Sequence, residues 1–341
     1  MRGEVHPSPD LLSPVPLKRF AKCIAQSRSF LLGKITDWRV KALVQLSFST
    51  IPGGEQLNYL VQKYMTRSLP VSDSGFVAEL SYAKRHIDAL QRHSNRALRE
   101  CTFYEFGVGW DMIIPLTFYA FGIENQIVVD IRKLIKLSLV NDTINKFQKM
   151  SSLLDIARVP ATYLNGRKYQ FVTAFKKYYG IDYRAPSDPK QTGLKPGSID
   201  CITATSTLEH IPVGDIKAIL QECYRLLRWG GVMSLIIDYM DHYSYFDRRI
   251  SGFNYLQYSD RTWALLSPAL HYQNRLRHRD YLGLLEAVGF DVLEEQRKEG
   301  TPTELKIIEG LSLATRFRAY SLEELAVGSA LVVARKRAAS A

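Results

Sequence analysis

Residues 102–130, TFYEFGVGWDMIIPLTFYAFGIENQIVVD, constrain the fold more than any other stretch of the chain. An apolar run from Thr102 to Phe106 leads into the turn Gly107-Val108-Gly109. A helical pattern follows over Met112 to Phe121, then a second apolar run ends at Asp130. Two short apolar runs joined by a glycine turn and a helix predict a βαβ unit, and a βαβ unit requires a parallel sheet covered on both faces. Gly107 and Gly109 permit the tight turn and let a ligand come against bare backbone. Pro115 falls in the first helical turn, where a missing N–H is tolerated. Asp130, at the carboxyl end of the second strand, is placed to grip a ribose diol with both carboxylate oxygens.

The charges around the glycines decide which nucleotide fits. A dinucleotide site uses G-x-G-x-x-G and a helix N-terminus to hold a pyrophosphate. Here Trp110, Asp111 and Met112 follow Gly109, with no third glycine. Glu105 before the turn and Asp111 after it repel a pyrophosphate and suit a cationic sulfonium with its amino group. This stretch resembles the first motif of the class I S-adenosylmethionine-dependent methyltransferases, E-x-G-x-G-x-G, with Asp111 standing where that motif has its last glycine. The resemblance implies that Glu105, Phe106, Gly107, Gly109, Asp111, Asp130 and Ile131 bind S-adenosylmethionine.

Later motifs follow in the same order as in that family. SIDCITATSTLEH, residues 198–210, reads as a fourth strand ending near Ala204 and resembles the S-F-D strand followed by L-E-H. Asp188 precedes Asp200 by a dozen residues, as does the acid that meets the adenine amino group in the family. Asp215 to Trp229 has helical apolar spacing, then Gly230-Gly231 and a strand over Val232 to Ile237; DYLGLLEAVGFDVLEEQ at 280–296 reads as helix, Gly-Phe turn and strand. The segments around DHYSYFD and NRLRHRDY also resemble bacterial proteins of the type 11 methyltransferase group. The resemblance implies an α/β fold of the class I, Rossmann-like kind: a doubly wound, mostly parallel seven-stranded sheet with an N-terminal helical cap. It also implies cofactor contacts from Asp188 and Thr205.

With 341 residues the chain exceeds one such domain and allows a second element or large insertions. The expected division falls near residue 98. Residues 1–98 form a basic helical cap or lid, with a turn at Pro52-Gly53-Gly54 and an amphipathic helix from an N-cap at Ser74 to Leu98. Residues 99–341 form the methyltransferase domain, with an aromatic-rich insertion at about 239–278. The first 99 residues carry 15 Lys and Arg against 7 Asp and Glu, so most of the formal +11 charge belongs to the cap. That charge reads as a solvated face, a peripheral contact with anionic membrane, or recognition of an anionic or glycan-like acceptor. Nucleic acid is disfavoured because no RNA-binding module appears. Cys23, Cys101, Cys201 and Cys223 lack metal-ligand spacing and read as small buried residues in a reducing compartment. No apolar run reaches membrane-spanning length and MRGEVHPSPD has no signal core, so a cytoplasmic protein is expected.

In this fold the sulfonium already carries an activated methyl group, and the protein chiefly aligns the attacking atom. A hydroxyl or amine must still lose a proton. His242 follows the fifth strand among Asp238, Asp241 and Asp247, and an imidazole oriented by carboxylates is the leading candidate for general base. His210, closing TSTLEH, is the second candidate, with loop shaping as its competing role. Asp238, Asp241 and His242 could also hold a divalent ion, but their spacing is no specific metal signature and no metal is expected. Asp238, Asp241, Tyr258 and Arg275 are the expected substrate contacts, against the alternative that the aromatic insertion packs as a lid. The chain lacks [DNS]-P-P-[YFW] after the fourth strand and a cysteine placed as a pyrimidine nucleophile. The expected activity is methyl transfer to a small-molecule, sugar or lipid-linked acceptor, with oxygen preferred. An RNA or protein methyltransferase recruited by the cap, and a non-catalytic cofactor-binding regulator, are the alternatives.

Overall fold

A computed structural model describes residues 37–65, 68–166 and 170–337. Cys23 and the cap residues before Asp37 lie outside the described residues. Helices α1 (Trp38–Thr50), α2 (Gly54–Leu60) and α3 (Asp73–His93) precede the sheet. The βαβ unit follows as β1 (Phe103–Phe106), α4 (Ile113–Ala120) and β2 (Gln126–Val129). Then come α5 (Leu137–Met150), α6 (Gln170–Tyr179), β3 (Ile181–Arg184), β4 (Ile199–Thr205), α7 (Val213–Leu226) and β5 (Leu227–Asp238). The chain closes with α8 (Asp260–Leu266), α9 (His278–Val288), β6 (Phe290–Lys298), α10 (Pro302–Glu309), α11 (Leu322–Ala326) and β7 (Ser329–Lys336).

The seven strands lie in the order β3-β2-β1-β4-β5-β7-β6, parallel except that β7 runs antiparallel to both its neighbours. This is the sheet expected from the sequence. All four residues of β1 are buried, as are the first six of β4, because helices cover both faces there. Edge strand β6 alternates buried or half-buried with exposed positions over its first half, as one covered face dictates. β5 begins at Leu227, five residues before the expected Val232. Trp229-Gly230-Gly231 reads as a turn, but a register shift between Ile199 and Cys201 on β4 takes up the irregularity and keeps the pair intact. α9 stops at Gly289, whose φ of 102° is the left-handed helix-ending conformation, and Phe290 starts β6 as expected.

Among the described residues, the division near residue 98 does not separate two cores. α3 is capped by Ser72, whose hydroxyl accepts from Gly75 N, rather than by Ser74, and it ends at His93 rather than Leu98. Ala83, Ile87, Ala89 and Leu90 on its inner face share one cluster with Phe103, Cys201, Val232 and Leu331 of the sheet. An amphipathic stripe needs a partner surface, and here that surface is the sheet itself. Cys101, Cys201 and Cys223 are free and buried, as expected.

α1 packs on the 239–278 insertion instead. Trp38 meets Tyr243 and Tyr258 at centroid distances of 5.3 and 5.6 Å, and its N–H of the backbone donates to Asp247 Oδ2 at 3.1 Å. The insertion is pinned from below by Arg277, which is 0% exposed. Its guanidinium donates to the carbonyls of Tyr239, Leu325 and Val327 and to the Tyr255 hydroxyl at 2.5–2.7 Å. Replacing it strands these acceptors in the core. Arg277→Ala is expected to lower unfolding stability by about 3 kcal/mol or more in urea titration, with Arg277→Lys recovering only part of it because one ammonium cannot reach four acceptors.

Candidate active site

The carboxyl ends of β1, β2 and β4 form a cradle. At the end of β1, Glu105 is 3% exposed; Oε1 accepts from the Thr205 hydroxyl at 3.4 Å, and Oε2 has no partner among the described residues. Gly107, with φ 79°, turns the chain so tightly against the loop after β4 that a Cβ there would stand 2.2 Å from Thr207 Cγ2. At Gly109, φ 69°, a Cβ would meet nothing within 4 Å. Asp130 at the end of β2 accepts from Arg132 N at 3.0 Å, and Ile131 beside it is 56% exposed. Asp188 reaches the rim next to Asp130, since Ser187 N donates to Asp130 O at 2.9 Å. The residues therefore fit S-adenosylmethionine: an open glycine turn, an unmet buried carboxylate oxygen for a cation, an aspartate at the second strand end and an exposed apolar side chain beside it.

Electrostatics point the same way. Burial pushes the Glu105 carboxyl up to about 8, and Thr205 only partly opposes this. Burial, then Asp111, push Glu79 on α3 up to about 7. Burial likewise raises Asp111 to about 6 against the N–H of Ile113. Three acids are thus held together without enough cations, an arrangement relieved by a bound cation or by protons. Glu79 is a site residue that sequence reasoning missed. Its signal was an acid on the inner side of an otherwise apolar stripe, visible only once α3 is known to lie on the sheet. His86 was missed for the same reason: it is fully buried, lies 2.8 Å from Ser234 Oγ and 3.1 Å from Thr205 Oγ1, and burial holds it neutral by lowering it to about 3.

A second cluster lies past the ends of β4 and β5. His210 and His242 have ring centroids 4.8 Å apart, and His242 Nε2 is 3.4 Å from Asp238 Oδ2 without a completed hydrogen bond. Asp238 Oδ2 also accepts from the Tyr245 hydroxyl at 2.5 Å. Burial raises the Asp238 carboxyl, but His242 and Tyr245 outweigh it and hold the group below its ordinary value. Glu209, 2% exposed, is driven well up by burial. His210 keeps an exposed edge while the crowding around the rest of its ring lowers it to about 4. Next to this cluster a cavity of about 430 Å³ is lined by Tyr82, Arg85, Asp238, Tyr245, Arg297 and Lys298, among others.

Several expected contacts take other places. Asp241 is 0% exposed and turns into the insertion, accepting from Tyr243 N and Asn254 Nδ2, so it neither lines a substrate site nor joins Asp238 and His242 around an ion. Arg275 is 2% exposed, and its guanidinium is taken up by the carbonyls of Tyr255 and Tyr258 and by Asp260. Tyr258 packs between Trp38 and Trp263. These three follow the lid alternative, since a self-packed aromatic cluster satisfies its own polar groups. Phe106 is 1% exposed and its side chain lies in the core, leaving only its backbone toward the cradle. The Thr205 hydroxyl is shared by Glu105 and His86, a positioning role.

Residues 166–235 match the family described as a methyltransferase domain. A stretch of 55 residues is 40% identical to the ubiquinone biosynthesis O-methyltransferase of Xanthomonas campestris pv. campestris, covering 16% of this chain and 22% of that protein. The match thus spans about a fifth of the curated relative's length. Among solved structures, geranyl diphosphate C-methyltransferase from Streptomyces coelicolor A3(2) overlays with a TM-score of 0.43 at 15% identity, covering 79% of this chain and 84% of that one. A SAM-dependent methyltransferase from Archaeoglobus fulgidus overlays at 0.42 and 14% identity, with 82% and 99% covered. Residues 166–235 thus carry a methyltransferase-domain match, and the strand order with its antiparallel seventh strand and the acid-and-glycine cradle are those of the class I, Rossmann-like fold expected from the sequence.

The cradle carries two expected outcomes. An ionised Glu105 attracts the sulfonium and a protonated one does not, so cofactor affinity should rise from pH 6.5 and level off above about 8. Glu105→Gln should abolish that rise and bind roughly tenfold more weakly at the upper plateau, read by calorimetry; comparing the two proteins cancels the ligand's own titration. Asp130→Ala should weaken binding by about 2–4 kcal/mol, tens- to hundreds-fold, with circular dichroism unchanged, and Gly107→Val should abolish it by driving a side chain into Thr207 and displacing the turn.

Proposed function

We propose that the protein methylates an oxygen of a small-molecule, sugar or lipid-linked acceptor, with His242 drawing the proton from the acceptor hydroxyl. The observation that carries this reading is the free, nearly buried Nε2 of His242 beside Asp238 at the end of β5. In open α/β sheets ligands bind past the carboxyl ends of the strands. Glu105, Asp130 and the glycine turn would hold the cofactor over β1 and β2. The acceptor would then lie past the end of β5, in the cavity of about 430 Å³ lined by Ile236, Ile237 and Asp238 of β5, the end of β6 and Ser329 at the start of β7, a size suited to a small molecule or the head of a larger one.

Bound S-adenosylmethionine supplies the methyl group: the acceptor oxygen–carbon bond forms while the carbon–sulfur bond breaks and its electron pair stays on sulfur. Asp238 lies 3.4 Å from His242 Nε2, the Tyr245 hydroxyl fixes Asp238, and the aromatic insertion would exclude water. The first 98 residues are read as a lid attached to the domain. Tyr59 on α2 stacks on Trp110 in the glycine loop at 5.3 Å, and α1 holds the insertion. A cytoplasmic location belongs to the same reading; no helix among the described residues is long and apolar enough to cross a membrane.

Labelled methyl transfer into fractionated cell extract, followed by mass spectrometry of the product, tests the acceptor class. With that acceptor, His242→Ala should lower kcat by on the order of 10²-fold and leave cofactor affinity unchanged, because a missing proton acceptor acts on the transition state. Full activity in this variant would remove His242 from the reaction.

A further inference from the structure

Glu209, His210 and His242 each offer a ligand atom, and these atoms all lie within 4.8 Å of one another. Glu209 is 2% exposed, yet its Oε2 has no hydrogen-bond partner among the described residues, and neither has His242 Nε2. A buried lone pair left unmet is costly and uncommon, and two directed into one small space call for a common partner. His210 is prepared for the same partner. Its Nδ1 lies 2.8 Å from the carbonyl of Tyr272, which can only accept, so Nδ1 carries the hydrogen and Nε2 keeps its lone pair. Metal-ligating histidines are held in this way, the second ring nitrogen donating to a carbonyl or carboxylate.

We propose that Glu209, His210 and His242 bind one divalent transition-metal ion, and that an acceptor hydroxyl enters its open coordination positions. Two imidazoles and one carboxylate suit zinc, manganese, iron or cobalt, whereas magnesium prefers an all-oxygen set. Ligands on opposite sides of such an ion, each at ~2.1 Å, stand about 4.2 Å apart, so side-chain shifts below about 1 Å close the site. This set differs from the Asp238, Asp241 and His242 triad suggested by sequence spacing, since Asp241 is engaged inside the insertion.

The inference rests on the preceding reading for the position of the acceptor and changes how its proton leaves. In the metal-free protein His242 is open to the acceptor proton as described; with the ion bound, its lone pair would be on the metal, which would lower the pH at which a bound hydroxyl loses its proton to water. Bond making and breaking at the methyl carbon stay as described above.

The test is cobalt(II) titration of the full-length protein after chelation and dialysis, followed by visible absorption, with S-adenosylmethionine calorimetry on the same samples. One equivalent of cobalt should bind and give d–d bands. Glu209→Gln and His210→Asn should each weaken it roughly 100-fold or more. The glutamine keeps the shape of the buried acid, and the asparagine amide can still donate toward Tyr272 O, so a loss with unchanged thermal midpoint reports ligation. No bands in the wild-type protein, or wild-type affinity in both variants, overturns the metal site. Cofactor binding without cobalt uptake overturns it while leaving the methyltransferase reading intact; cobalt uptake lost in the variants without any cofactor binding supports the site and removes that reading instead.

Discussion

The guanidinium of Arg277 is the interaction on which the region past the end of β5 depends. It is buried completely and joins three parts of the chain: the exit of β5 at Tyr239, the insertion at Tyr255 and the approach to β7 at Leu325 and Val327. Planar, permanently charged and rich in donors, an arginine satisfies several carbonyls at once as no other side chain does. Its Nη atoms hold the backbone immediately before Met240 to Tyr245, the run that carries His242. The placement of an imidazole beside the ends of β4 and β5 therefore follows from a cation that never meets solvent.

The cofactor side is organised by the opposite charge. Glu79, Glu105 and Asp111 come from α3, β1 and the loop after β1, and burial raises all three. Such crowding costs stability and is relieved by protons or by an arriving cation. His86, neutral and buried beneath, ties Thr205 to Ser234 and thereby holds the hydroxyl that meets Glu105.

Between these two poles, α1 and α2 make contact with both sides. Tyr59 rests on Trp110 while Lys136 lies over both rings, and Trp38 enters the aromatic cluster of the insertion. The aromatic residues of the insertion earn their place by packing rather than by recognition: Tyr243, Tyr255, Tyr258 and Trp263 are in contact with one another or with Trp38.

Local features of the chain already determined the βαβ unit, its two glycines, Glu105 and Asp130, because the strand, turn and helix periods there depend on neighbours a few residues apart. The same holds for the helix, glycine stop and strand at 278–298, and the order of motifs pointed to the seven-stranded sheet. Tertiary structure decided the rest, through contacts between residues far apart in sequence. Whether α3 belongs to a cap or to the sheet turns on Ala83, Ile87 and Leu90 meeting Phe103, Val232 and Leu331. Spacing in D-x-x-D-H groups Asp238, Asp241 and His242, yet a helical turn after β5 sends Asp241 into the insertion and brings His242 toward His210 from another loop. A charged residue's role is set by what surrounds it when buried: Arg275 and Arg277, two residues apart in one basic segment, both became internal struts because carbonyls from distant strands and turns closed around them.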